Sequence, residues 1–151
     1  MLAARLRARC PSARVIGRAE ATGFHLTFDK IGQDGSGKAT LVPGDGVVPG
    51  VLFDLAAEDV HLLDRIEGLG RGYDRVMLDL GGQGVMAYLA PAPFRDAGMR
   101  AFDWYLALVL AGARQADLPA GWVARLAAEP AIPDPEPGRP RRIEALALLA
   151  G

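Results

Sequence analysis

The stretch LLDRIEGLGRGYDR, residues 62–75, decides how this chain is read. Its first half continues a helical pattern that begins near residue 56. Val60 and Leu63 are apolar, and Glu67 follows four residues after Leu63 and seven after Val60. Those spacings place all three on one face of a helix. A glutamate on the face that packs inward conflicts with the local pattern, and such conflicts gather at functional sites. The plain alternative is a helix-end carboxylate that leans into water. In the second half, Gly68, Gly70 and Gly72 stop the helix in a turn and let the backbone approach closely beside the carboxylate.

Upstream of this stretch, residues 50–55 (GVLFDL) read as a strand that feeds the helix, with Asp54 as its N-cap. Downstream, residues 73–80 and 85–90 read as a strand and its return, joined by a loop at 81–84 and ended by Pro91 and Pro93. A helix over 97–113 carries Phe102, Tyr105, Leu108, Val109 and Gly112 on one side. Pro119 suits the first turn of another helix, which holds Trp122, Val123 and Leu126.

The chain opens on a helix whose Leu2, Leu6 and Cys10 share a face, and Pro11 ends it near Arg9. Residues 1–19 hold five arginines and no acid before Glu20. That composition matches a mitochondrial presequence. Arginine outnumbers lysine fifteen to two along the whole chain, however, so an amphipathic structural helix with its arginines in water is the preferred reading. A short strand is expected at 14–16. Another, at 23–31, alternates Phe24, Leu26 and Phe28 on one face with His25, Thr27 and Asp29 on the other. His25 then faces solvent and takes no role.

Residues 32–38 (GQDGSGK) imitate a phosphate-binding loop. Gly32, Gly37 and Lys38 fit that pattern, but Ala39 stands where a Ser or Thr belongs. The continuation reads as a strand broken by Pro43 and Gly44, whereas a phosphate loop needs a helix there. A hairpin loop is expected instead.

Half of the residues are hydrophobic and the net charge is −1, which suits one soluble globular domain and gives no case for nucleic acid. A lone cysteine, Cys10, excludes an internal disulfide and a thiolate cluster. His25 and His61 lack ligand-like neighbours, so no metal site is expected. No apolar run is long enough to span a membrane, and the expected location is cytoplasmic. The domain is expected over 1–128, followed by a proline-rich extended linker at 129–140. Residues 141–151 then form a short helix or tail, docked on the body or free to bind a partner.

The order of these motifs resembles the gamma-glutamylcyclotransferase-like family, which includes gamma-glutamylamine cyclotransferases. The resemblance runs over about residues 2–126. It rests on the basic helix with Cys10-Pro11-Ser12-Ala13, the strand GFHLTF, the loop and strand DGSGKATLVP, and PGVLFDL. It continues with LDRIEG followed by Gly72-Tyr73, AYLA, Tyr105 with Gly112-Ala113, Leu118-Pro119, and Trp122. It implies an α+β fold, a small mixed barrel-like sheet with flanking helices and a cavity at the barrel mouth. It also implies a small-molecule γ-glutamyl substrate and no metal or cofactor, and it allows a homodimer. In that family the substrate's α-amine attacks its own γ-carbonyl, which releases 5-oxoproline and an amine. By resemblance Glu67 is the general acid/base. Gly68, Tyr73 and Tyr105 lie beside the substrate, although packing accounts for either tyrosine equally well. Tyr88 reads as core.

One departure stands out. The family opens with a strand ending in a Tyr-Gly-Ser-Asn loop that holds the glutamyl moiety, and this sequence lacks it. Either translation starts upstream or the chain is naturally short. Weak or no cyclotransferase activity is then expected of residues 1–151 as given, because an oriented donor contributes ~10²–10³ in rate. A non-catalytic binding module, or a protein that acts through its proline-rich tail, is the alternative.

Overall fold

Two long strands carry the scaffold of the computed structural model, which describes residues 1–151. β1 (Arg14–Ile31) and β2 (Gly37–Asp54) run antiparallel as one hairpin. Their register slips between Val15 and Gly17, Thr22 and Phe24, and Thr27 and Lys30. Such bulges bend and twist a ribbon so that it can wrap around a core. Residues 14–16 and 23–31, expected as two strands, are therefore one. Pro43 and Gly44 do not break β2 either. Pro43 faces Phe24 beside the second slip, where the ladder is already interrupted.

The loop between them is a hairpin, as expected. Asp34 Oδ1 accepts from the Ser36 amide at 3.1 Å and hydroxyl at 2.8 Å, and Lys38 Nζ donates to Asp34 Oδ2 at 2.8 Å. The lysine that imitated a phosphate ligand is spent on closing its own turn.

α1 (Ala3–Arg9) ends at Cys10, before Pro11. Its Leu6, with Cys10 and Ala13, packs on Leu63 of α2 (Ala57–Glu67). Asp54 does not cap α2; it pairs with Arg14 in solvent at 3.1 Å. Ser12 takes over that end of the helix. Its hydroxyl accepts from the Ala56 amide at 2.9 Å and donates to Asp59 Oδ2 at 2.5 Å. β3 (Asp74–Leu80) and β4 (Gln83–Leu89) form the expected second hairpin.

α3 (Asp103–Gln115) starts later than residue 97. Asp96 folds back to accept the Gly98 amide at 2.8 Å, which makes a turn. Ala101 and Phe102 are then claimed as a short strand, β5 (Ala101–Phe102), parallel to β6 (Ala131–Ile132). The three ladders are each two-stranded and do not close into a hydrogen-bonded barrel. Small sheets with flanking helices make the architecture α+β.

α3 is the central helix. Leu106 and Ala113 pack with Phe28, Ala101, Leu118 and Leu126, the last from α4 (Ala120–Ala127). Phe102, Trp104 and Leu108 pack with Leu2 and with Ala145 of α5 (Pro140–Ala150). The segment between α4 and α5 contributes β6 and a turn at 137–138, and it is tied to the body. Buried Asp134 accepts from Trp104 Nε1 at 2.8 Å and from Arg139 Nε at 2.7 Å and Nη2 at 3.2 Å.

Candidate functional site

A cavity of about 410 Å³ lies between α1, the β1–β2 hairpin, the end of α2, and α3. Sites for small molecules fall in this size range. Glu67 is the only carboxylate on its wall.

Glu67 is the last residue of α2, one turn after buried Leu63, so the helix aims both side chains inward. Gly68 then takes the left-handed conformation, φ 72° and ψ 50°, and the Leu69 amide reaches back to Asp64 O at 2.9 Å. This closure turns the chain away and leaves Glu67 on the cavity wall. Burial pushes the Glu67 pKa up, against the pull of Arg9, Arg5, Lys30 and Arg141. The partial negative charge at the end of α2 acts in the same direction as burial.

Tyr73 and Tyr105 also face the cavity, and the structure brings them together on one residue. The Tyr73 hydroxyl donates to Ala39 O at 2.7 Å, and the Ala39 amide donates to the Tyr105 hydroxyl at 3.1 Å. Tyr73 has therefore spent its proton. Tyr105 accepts, and no protein group takes its proton. Burial raises the pKa of both phenols, so both stay protonated at neutral pH. Tyr88 reaches the wall as well, but it packs on the Leu6–Leu63 cluster and donates to Asp64 Oδ1 at 2.6 Å.

Two cations on the wall were missed in the sequence. Arg5 is only 7% exposed and Lys30 only 8%. The expectation that the α1 arginines lie in water holds for Arg7 but fails for Arg5. Arg5 sits on the edge of the Leu2–Leu6 stripe, and Lys30 continues the alternation of Phe24, Leu26 and Phe28. That parity was the available signal. Aromatic faces hold both cations. The Arg5 guanidinium lies 5.9 Å from the Trp104 ring centroid, and Lys30 Nζ lies 4.9 Å from that of Tyr73. Neither forms an ion pair with a carboxylate, and Arg5 Nε has no hydrogen-bond partner. Arg9, Arg71 and Arg141 add positive charge to the same wall. His25 lies outside the cavity and meets Asp45 at 3.0 Å in solvent.

No group of three or more His, Cys, Asp or Glu side chains is placed to hold a metal ion. No helix is long and apolar enough to cross a membrane.

Several solved structures share the fold. One described as a gamma-glutamyl cyclotransferase superposes with a TM-score of 0.81 at 22% identity, covering 99% of this chain and 93% of that one. The uncharacterized protein loc79017 from Homo sapiens gives 0.80 at 22% identity, over 97% and 92%. YkqA from Bacillus subtilis gives 0.68 at 19% identity, over 85% of this chain and 49% of that one. No curated protein matches by sequence. The family model "Gamma-glutamyl cyclotransferase, AIG2-like" matches residues 3–106, which include Glu67, Tyr73 and Tyr105. The chain belongs to the gamma-glutamyl cyclotransferase, AIG2-like family.

Proposed function

We propose that the protein is a cyclotransferase that converts a γ-glutamyl amide into 5-oxoproline and a free amine, with Glu67 moving the protons. The observation that carries this reading is the half-buried Glu67, the lone carboxylate of the cavity, with its pKa raised by burial. A base poised nearer neutrality exchanges protons with nitrogen more readily than an ordinary carboxylate.

The substrate enters with its α-nitrogen as an ammonium. Glu67 removes one proton, and the amine lone pair attacks the γ-carbonyl carbon. The carbonyl π electrons move onto oxygen and give a tetrahedral oxyanion. Tyr105 is suited to donate its unused proton in a hydrogen bond to that oxygen. Glu67 returns its proton to the leaving nitrogen as the C–N bond breaks. A second proton follows the same route from ring nitrogen to leaving amine. The products are 5-oxoproline, which keeps its α-carboxylate, and an ammonium, so charge is conserved. Every proton moved comes from the substrate, so the reaction as written requires no cofactor.

Incubation with a γ-glutamyl dipeptide, followed by mass analysis, tests the reading. Cyclotransfer yields 5-oxoproline, hydrolysis yields glutamate, and a binding module yields neither.

A further inference from the structure

The cations on the cavity wall differ in what holds them. Asp34 neutralises Lys38 at 2.8 Å, Trp104 holds Arg5, and Tyr73 holds Lys30. Arg71 and Arg141 are exposed to water. Arg9 alone is half-buried with neither an ion pair nor an aromatic face. Arg9 and Glu67 are the last residues of α1 and α2, and Leu6 and Cys10 pack on Leu63 to hold the two helices together. A helical side chain leans toward the N-terminus of its helix, which turns the Arg9 stem back along α1 to the cavity. Arg7 differs: it is exposed, lies off the wall, and gives its Nε to Ala13 O at 3.3 Å.

Resting on the cyclotransferase reading, we propose that Arg9 is a positioning residue for Glu67: its charge keeps the carboxylate ionised at neutral pH, so that Glu67 enters the reaction as a base. Burial works against that state, because it favours the uncharged acid. The charges that face Glu67 come from α1, β1 and α5. Arg9, Arg5, Lys30 and Arg141 all oppose burial, and Arg9 does so most. Glu144 answers part of the Arg5 charge, and Asp34 part of the Lys30 charge. The remaining groups around Glu67 are neutral: the Cys10 thiol and the phenols of Tyr73, Tyr88 and Tyr105, whose protons the Glu67 charge helps to hold. Arg9 and Glu67 are not in ion-pair contact. A charge acting through space favours the ionised form and leaves the carboxylate oxygens free to take the substrate's proton.

Carbon NMR of the Glu67 side-chain carboxyl, assigned by its loss in Glu67→Gln, tests this on the full chain without ligand. Arg9→Gln should move the titration midpoint of that carboxyl up by about one pH unit. Arg9→Lys keeps the charge and should restore most of the wild-type midpoint. Arg7→Gln removes an equal charge away from the cavity and should leave the midpoint in place. Arg9→Met, which keeps an apolar stem, repeats the measurement if Arg9→Gln fails to fold. An unmoved midpoint in the Arg9 variants overturns the proposal. So does an equal move in Arg7→Gln, because net charge would then be the cause, and so does a larger move in Arg5→Gln. In turnover, the acid limb of kcat/KM against pH should move up with the midpoint, whereas a merely structural Arg9 would lower the rate without moving the limb. The 5-oxoproline assay separates the two claims. A moved midpoint without 5-oxoproline refutes the reaction and keeps the role of Arg9. Release of 5-oxoproline with an unmoved acid limb in Arg9→Gln refutes that role and keeps the reaction.

Discussion

Tyr73 and Tyr105 grip opposite ends of one residue: the first donates to the Ala39 carbonyl at 2.7 Å, and the second accepts from the Ala39 amide at 3.1 Å. Both phenols reach the cavity, but they are unlike in chemistry, since only Tyr105 keeps a proton to offer it. Tyr73→Phe should lower stability by about 1 kcal/mol through the orphaned carbonyl and leave turnover within a fewfold. Tyr105→Phe should show a similar stability loss and, in addition, a fall in kcat of ~10². Urea melts and steady-state rates on the two variants separate these effects; equal kinetic losses would remove the special role of Tyr105.

Glu67 links the cavity to stability. Its folded pKa lies above that of an unfolded glutamate, so folding binds the proton more tightly than the unfolded chain does. Stability is therefore favoured at acid pH, falls as pH rises through the window between the ordinary and the raised value, and stays lower above it. Glu67→Gln should raise Tm at neutral pH and leave it unchanged below the ordinary glutamate range. A variant less stable than wild type at pH 7 would contradict this sign.

Asp134 has the opposite linkage. Hydrogen bonds from Arg139 first, then from the Glu136 amide and Trp104, hold its carboxyl well below the usual range. Its contribution is complete above about pH 4 and is lost as pH falls through the depressed value. Asp134→Ala should lower Tm at neutral pH and expose Trp104 to quencher, because the segment it anchors carries α5 onto α3. Unchanged Trp104 fluorescence would show that the clamp is dispensable.

Gly68 holds φ 72° with open space where a Cβ would stand, so its substitution tests backbone strain alone. Gly68→Ala should cost about 1 kcal/mol and raise KM as the α2 terminus shifts under Glu67. Wild-type stability would mean that the turn accepts a side chain freely.

Glu67 was legible from the sequence because helical periodicity projects it onto the face of Leu63, one turn away. The paired hairpins were legible for the same local reason. The start of α3 was not, because the competitor for Ala101 and Phe102 is a strand some thirty residues later in the chain. The anchor between Trp104 and Asp134 was hidden likewise, since a side-chain bond between distant residues leaves no period. Lys30 lay between these cases. The alternation of β1 put it on the inner face, but a lysine is normally assumed to lie in water.

The central claim is that Glu67 carries the protons of a cyclisation. The most direct measurement is the rate of 5-oxoproline release from γ-glutamyl-alanine by wild type and by Glu67→Gln, with folding of both checked by thermal melts. The account predicts that the variant, which still binds the ligand, releases 5-oxoproline ~10²–10⁴-fold more slowly than wild type, however slow the wild-type rate. Undiminished release of 5-oxoproline by Glu67→Gln would contradict it.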